Sequence, residues 1–487
     1  MSPRLVAPLA VAALVAGATT AASMSWPVLP EEPRPGRATT APVVERSLVC
    51  PDVSGAGGLV STRASLAALP GSPGRGRAAM TGLRGSFPAR LPVLTAAGGS
   101  GVSDVTAAGG PVRMDASGTL AAGVAAEQVT RSESGRGRGL AESRCAATAP
   151  DTWFVGGSTT VGASASLELV NPDGVAATAT VSLLTATGRV APRAAQGIQV
   201  PPRGSIRLAL ESLAPGTPAL ATHVAVTGGR VAASILDSRG RATLPLGVDF
   251  VPPTAAPAGR AVVPGLLAGS GPRLLVLGVP GPDDATVALR VVTTEGSFVP
   301  AALHAVRVRA GTVATVNLAT VLGARPAAVA VTSDVPVVAG GFSGSSDPYT
   351  HEADFGWSPA TPPLTGPALV PDNRVRGPLH SVLVLTAPGA AASLSLTALG
   401  AGSGPTAPVR VQVPAGRTVA LPLPALVPSG DFTLVVTPAP GSGPVYGSRE
   451  LSERWSIGTW LSQLSLERTE AMVTVPTVTE DAGAGSP

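Results

Sequence analysis

Three stretches of the chain repeat one another at a spacing of 108 residues: Leu167-Glu168-Leu169-Val170-Asn171-Pro172, Leu275-Val276-Leu277-Gly278-Val279-Pro280 and Leu383-Val384-Leu385-Thr386-Ala387-Pro388. A fixed period means that each copy is one structural unit, so it constrains the fold before any local propensity does. Three later landmarks follow each copy in the same order. A turn and a strand come first: Pro201–Gly204 before Ile206–Leu210, Arg309–Gly311 before Val313–Leu318, and Pro414–Gly416 before Val419–Leu423. Next come a strand (Val224–Val226, Val329–Val331, Leu434–Val436) and its partner (Val231–Ser234, Val337–Gly340, Val445–Ser448). Units of about a hundred residues, with six or seven short strands and Gly/Pro turns at roughly 8- to 12-residue intervals, match all-β, tandem immunoglobulin-like sandwiches. A propeller or a β-solenoid needs a shorter period.

The stretch Arg144–Leu184 holds the first copy, in which apolar alternation stops at Asn171-Pro172-Asp173-Gly174 and resumes. This predicts two strands joined as a hairpin, because Pro and Gly interrupt a ladder. Upstream, Ser47-Leu48-Val49-Cys50-Pro51-Asp52 resembles Leu169–Asp173 and marks a degenerate fourth copy with Cys50 in the place of Asn171. The domains then read as 44–145, 146–255, 256–362 and 363–470, followed by a disordered tail at 471–487. Residues 24–43 carry Pro27, Pro30, Pro33, Pro35 and Pro42 and read as an extended linker. Residues 1–23 have export-signal layout: Arg4, an apolar run Leu5–Ala22 without acids, then small residues. That run is also near the length of a span, so it reads as a signal peptide or a retained membrane anchor.

An exported chain with two cysteines, Cys50 and Cys145, most simply closes one disulfide; two buried thiols are the alternative. The chain has 44% hydrophobic and 13% charged residues, enough apolar mass to exclude wholesale disorder. Its net charge of +4 comes entirely from arginine against Asp and Glu, for lysine is absent. That field is too weak for nucleic-acid binding, and the runs Gly74–Arg77 and Gly135–Arg138 lack interleaved aromatics, so they read as solvated loops.

Catalytic motifs are missing. Gly341-Phe342-Ser343-Gly344 lacks the spacing of a nucleophile elbow, and His351-Glu352 is followed by Phe355 where a zincin places His. One stretch, 345–357, gathers Asp347, Tyr349, His351, Glu352, Asp354 and Trp357 in a chain poor in all six types. Asp347, His351, Glu352 and Asp354 are therefore the candidate ligand or metal loop, although no calcium-loop spacing supports a metal. The bland reading is a polar loop beside a domain junction sealed by Trp357. Trp153, Trp455 and Trp460 divide in the same way between interface packing and a glycan-facing patch.

The LVCP motif at Leu48–Pro51, GLAESRC at Gly139–Cys145, WFVGG at Trp153–Gly157 and LELVNP at Leu167–Pro172 together resemble DUF5719, an actinobacterial family of unknown function. The resemblance runs from about Val44 to Glu470 and implies an exported or envelope-associated protein, with no reaction and no cofactor to carry over. The expectation is a non-enzymatic scaffold or adhesion-type protein outside the cytoplasm, partnered by an envelope protein or a polysaccharide. It would touch the membrane only through an uncleaved N-terminal segment. A carbohydrate-binding accessory protein and an envelope-glycan hydrolase or transferase are the alternatives.

Overall fold

The computed structural model describes residues 39–475 apart from 55–59, 72–74, 84–90, 107–109, 401–404, 427–429, 470–471 and the single residues 136, 243, 270, 376, 378 and 457. The export segment, most of the linker and residues 476–487 of the tail lie outside the described residues. What is described falls into two units, 43–471 and a terminal ribbon in which Thr39–Pro42 pairs antiparallel with Met472–Val475. The residues that open the tail are thus a strand. No helix of the described residues is long and apolar enough to cross a membrane.

The first, second and fourth domains of the body are each a pair of antiparallel sheets, and in the third the 20-residue strand Ala327–Ser346 runs through both faces and joins them into one eight-stranded sheet. Ala177–Thr185, Ala285–Thr293 and Ala392–Gly400 occupy the same place in three domains and alternate buried and less buried positions from their buried first alanines onward. Four separate apolar cores result. Leu167, Leu275 and Leu383 are fully buried. Leu167 and Leu383 lie on the second strand of a four-stranded sheet of one order, shown in the second domain by Gly204–Ala209, Ala163–Asn171, Ala232–Arg241 and Leu244–Val251. Leu275 has the same place in the order Val313–Asn317, Arg273–Gly278, Ala327–Ser346, Ala353–Pro359 within the larger sheet of the third domain.

The connections differ from the sequence expectation. Ala163–Asn171 and Ala177–Thr185 are not a hairpin; they lie in opposite sheets, and the Pro-Asp-Gly corner carries the chain across the sandwich. Buried Asn171 pins the corner, donating from Nδ2 to the carbonyls of Val175 (2.7 Å) and Val200 (3.2 Å) and accepting the Asp173 amide (2.9 Å). The strand order also departs from the immunoglobulin one, in which the first two strands share a sheet; here Asp151–Val155 and Ala163–Asn171 do not. In the first domain Glu45–Cys50 pairs with Val112–Gly118, as Asp151–Val155 pairs with Ala221–Gly228. Cys50 therefore ends a first strand and does not take the place of Asn171.

Cys50 is bonded to Cys145, where the chain leaves the first domain. The bond closes a separation of 95 residues, worth up to about 4.7 kcal/mol from the chain entropy it removes. Replacing both cysteines by Ala is expected to lower the urea-unfolding free energy by about that amount.

The four domains close into a ring. The innermost strands are β1 (Gly139–Arg144), β2 (Leu244–Val251), β3 (Ala353–Pro359) and β4 (Gly458–Ser465), and each packs on the next, with β4 returning to β1. The seams differ chemically. Between the second and third domains, Phe342, Phe355 and Trp357 pack under the Arg239 guanidinium, and Trp357 Nε1 donates to Asp237 (3.0 Å). The fourth-to-first seam, where no linker joins the partners, is charged. Arg131 makes a bidentate pair with Glu453 (2.9 Å twice), Arg63 reaches Asp372 (2.8 Å) and Asp431, and fully buried Arg449 reaches Glu127 (3.0 Å) and Glu142.

At the first-to-second seam Glu168 accepts the Asp52 amide (2.8 Å), and Arg207 lies 3.7 Å away. Burial pushes the Glu168 carboxyl up to about 7. The folded chain therefore keeps a proton that the unfolded chain, with a glutamate near ~4.3, has already lost, and stability falls as pH rises between those values. Unfolding free energies at about pH 5 and about pH 8 should show this loss, up to about 3 kcal/mol for this group, and Glu168→Gln should flatten it.

Candidate functional site

The inner strands are edge strands of their own sheets, so half of their amides face the ring axis with no ladder partner. Two carboxylates satisfy them. Asp354 of β3 accepts the amides of Leu140 (2.9 Å), Val248 (3.2 Å) and Leu461 (3.0 Å), one from each of the other three domains. Further along the axis, Asp249 of β2 accepts the Trp357 amide (2.9 Å), the Ser462 hydroxyl (2.7 Å) and, at 3.4 Å, the Glu142 amide. From the first layer to the second the residue numbers rise on all four strands, by two on β1 (140 to 142), one on β2 (248 to 249), three on β3 (354 to 357) and one on β4 (461 to 462), so the four strands run in the same direction around the axis.

Space for the Asp354 carboxylate comes from glycines opposite it. A Cβ on Gly139 or Gly247 would lie 2.5 Å or 2.4 Å from Asp354 Oδ1, and both glycines have positive φ, 157° and 115°. Burial pushes both carboxyls well above the usual range, and the hydrogen bonds they accept pull the other way.

The hairpins that lead into the inner strands consequently gather at one end of the axis. There the candidate residues of 345–357 separate into two roles. Glu352 and Asp354 are buried; Glu352 accepts Trp460 Nε1 (2.7 Å) and pairs with Arg138. Asp347 and His351 sit at the hairpin tip. Asp347 Oδ1 caps the amides of Tyr349 and Thr350 (2.9 Å each), which holds its carboxyl below the usual range, and His351 is exposed with φ 61°. The four side chains do not converge, and among the described residues no group of three His, Cys, Asp or Glu is placed to hold a metal ion. Residues 353–359 form a strand, so the expected polar loop is confined to 347–352.

Around that tip stand residues from two other domains. Gly458 of the fourth domain lies so close that a Cβ there would be 3.7 Å from the Asp347 Cβ. Trp455, its partner across the hairpin, is 42% exposed and tilts against buried Trp460, with ring centroids 5.3 Å apart. The Arg131 guanidinium lies 5.3 Å over the Trp455 ring. Tyr349 is 90% exposed. Trp153, by contrast, is buried and stacks on His223 within the second domain.

A family model described as "Family of unknown function (DUF5719)" matches residues 96–424. The chain belongs to the DUF5719 family. The matched stretch contains β1, β2, β3 and both axial carboxylates, so what it shares with DUF5719 includes most of the ring. No curated protein matches the sequence. Among solved structures, "Crystal Structure of Thermotoga maritima 1070" matches 22% of this DUF5719 chain and 97% of its own, at 16% identity and a TM-score of 0.20, a likeness from which nothing follows. Sequence reasoning missed Asp249, Glu127, Glu142 and Arg449. The signal for Asp249 is a lone charge inside an apolar strand, Leu246-Gly247-Val248-Asp249-Phe250-Val251, whereas Glu127, Glu142 and Arg449 lie in strands that carry other charges and leave no such signal.

Proposed function

We propose that this DUF5719 chain is an exported, non-enzymatic scaffold or adhesion-type protein of the cell envelope, whose partner is another envelope protein or a polysaccharide. The observation that carries this reading is the use made of the carboxylates. Hydrolysis needs a positioned acid and base near solvent, whereas Glu352, Asp354 and Asp249 are spent on tying domains together. A rigid ring with its hairpins gathered at one end suits presentation of a fixed surface, since loops on a rigid scaffold carry recognition. The disulfide and the Leu5–Ala22 run support a place outside the cytoplasm.

Fractionation of producing cells, with non-reducing peptide mapping and incubation of the purified chain with envelope glycan and peptides, tests both halves. The expected result is recovery outside the cytoplasm with Cys50 linked to Cys145 and no turnover. Cytosolic recovery with free thiols would overturn the export half. Turnover of either substrate would overturn the non-enzymatic half.

A further inference from the structure

The hairpin end of the axis brings together an exposed aromatic surface and a ring of hydrogen-bonding groups from three domains. Trp455 is held and not merely exposed. Arg131 lies over its ring, and Arg131 is itself fixed by the bidentate pair with buried Glu453. Trp460, anchored through Nε1 to Glu352, supports the indole from the side. Tyr349 stands on the neighbouring tip, fixed at its backbone by Asp347. An indole held in this way, as at Trp455, binds with little loss of conformational entropy, the condition under which a shallow surface gains affinity.

Glu133, half-exposed, lies 3.3 Å from Nη1 of Arg131 and so stands beside the Trp455 ring. We propose that this end of the ring binds a neutral glycan chain, with Trp455 and Tyr349 as stacking platforms for sugar rings and Asp347, His351, Arg131 and Glu133 as partners for their hydroxyls. The apolar C–H face of a pyranose matches an indole or phenol face, and its hydroxyls need both donors and acceptors at the rim. Both kinds are present: Arg131 donates, while Asp347 and Glu133 accept. The two carboxylates also select against an anionic lipid surface, which aromatic tips alone would suit. Asp347 keeps its charge because the amides of Thr350 and Tyr349 stabilise it. Tyr349 is almost free in solvent, so the surface is open at its side and suits the middle of a chain.

This inference rests on the extracytoplasmic reading, since that is where the chain would meet such a polymer, but its test does not depend on where the protein is found. The full chain is titrated with chitohexaose, cellohexaose and mannohexaose by calorimetry and tryptophan fluorescence. Vesicles of phosphatidylglycerol and phosphatidylcholine serve as the lipid arm. At least one hexasaccharide should bind with a shift in tryptophan emission, and Trp455→Ala should weaken it about tenfold or more. Tyr349→Ala should weaken it several-fold, and both variants should keep the wild-type unfolding midpoint. Phe298→Ala, exposed on the third domain, should bind normally. Failure of all three sugars to bind, binding undiminished in Trp455→Ala, or binding to vesicles in place of sugars would each overturn the proposal while leaving the export and scaffold reading intact.

Discussion

Asp354→Ala should destabilise the protein by several kcal/mol and loosen all four domains at once. The substitution strips three buried amides, Leu140, Val248 and Leu461, of their acceptor. A buried donor left without a partner costs about 1–3 kcal/mol, and no side chain opposite can replace the carboxylate because Gly139 and Gly247 stand there. Asp354→Asn is the sharper variant. It keeps the shape but turns one acceptor oxygen into a donor that faces other donors, so it too should lose about 2 kcal/mol or more. Urea unfolding reads both values. A loss below about 1 kcal/mol for Asp354→Ala would mean that the amides find water and that the axis is not a sealed seam.

Arg449→Met should act at one seam, and its effect should depend on pH. Arg449 is fully buried between Glu127 and Glu142 and also donates to the Pro371 carbonyl (2.7 Å). Removing it leaves two carboxylates in a dry interface, a defect that typically costs about 3–5 kcal/mol. Burial already pushes both carboxyls up, Glu142 to about 8, against the pull of Arg449. Without the arginine they rise further, so the variant can bury them only as neutral acids. The folded state then holds protons that the unfolded state releases above about 4.3, and the defect should be mild at about pH 5 and severe at about pH 8. Replacing Glu127 and Glu142 by Leu alongside Arg449→Met should restore much of the stability, because well-packed apolar residues often equal a buried ion cluster. Equal defects at the two pH values would contradict the assignment of this cluster as the charged latch of the ring.

The all-β class was legible because alternation says which side chains point inward, as at Ala177, Ala179, Val181 and Leu183. Alternation does not say which sheet the next strand joins. The Asn171-Pro172-Asp173-Gly174 stop was therefore visible while its direction was not, since a hairpin and a crossing between sheets use the same residues. The site divided likewise. Asp347, His351, Glu352 and Asp354 stood out by their density in a chain poor in such residues. Their separation into an exposed tip and a buried axis depends on partners in other domains, more than a hundred residues away in sequence. Leu140, Val248, Phe355 and Leu461 do recur at intervals of about 107 residues, preceded by Gly139, Gly247, Asp354 and Trp460. That column carries the axial contact, but the ring that gives it meaning is a property of packing and not of any one repeat. The exposed pair Trp455 and Tyr349 was equally indistinct, because an aromatic at a domain edge reads the same whether it seals or faces water.

Native-state hydrogen exchange at three amides tests the closed ring most directly. Leu140, Val248 and Leu461 lie on strands that would be exposed edges in four independent sandwiches, with these N–H groups turned to water. The ring predicts that they exchange as slowly as the core amides of Leu167, Leu275 and Leu383, and that Asp354→Ala releases all three together. Rapid exchange of these amides in the wild-type chain, with the core of each domain still protected, would contradict it.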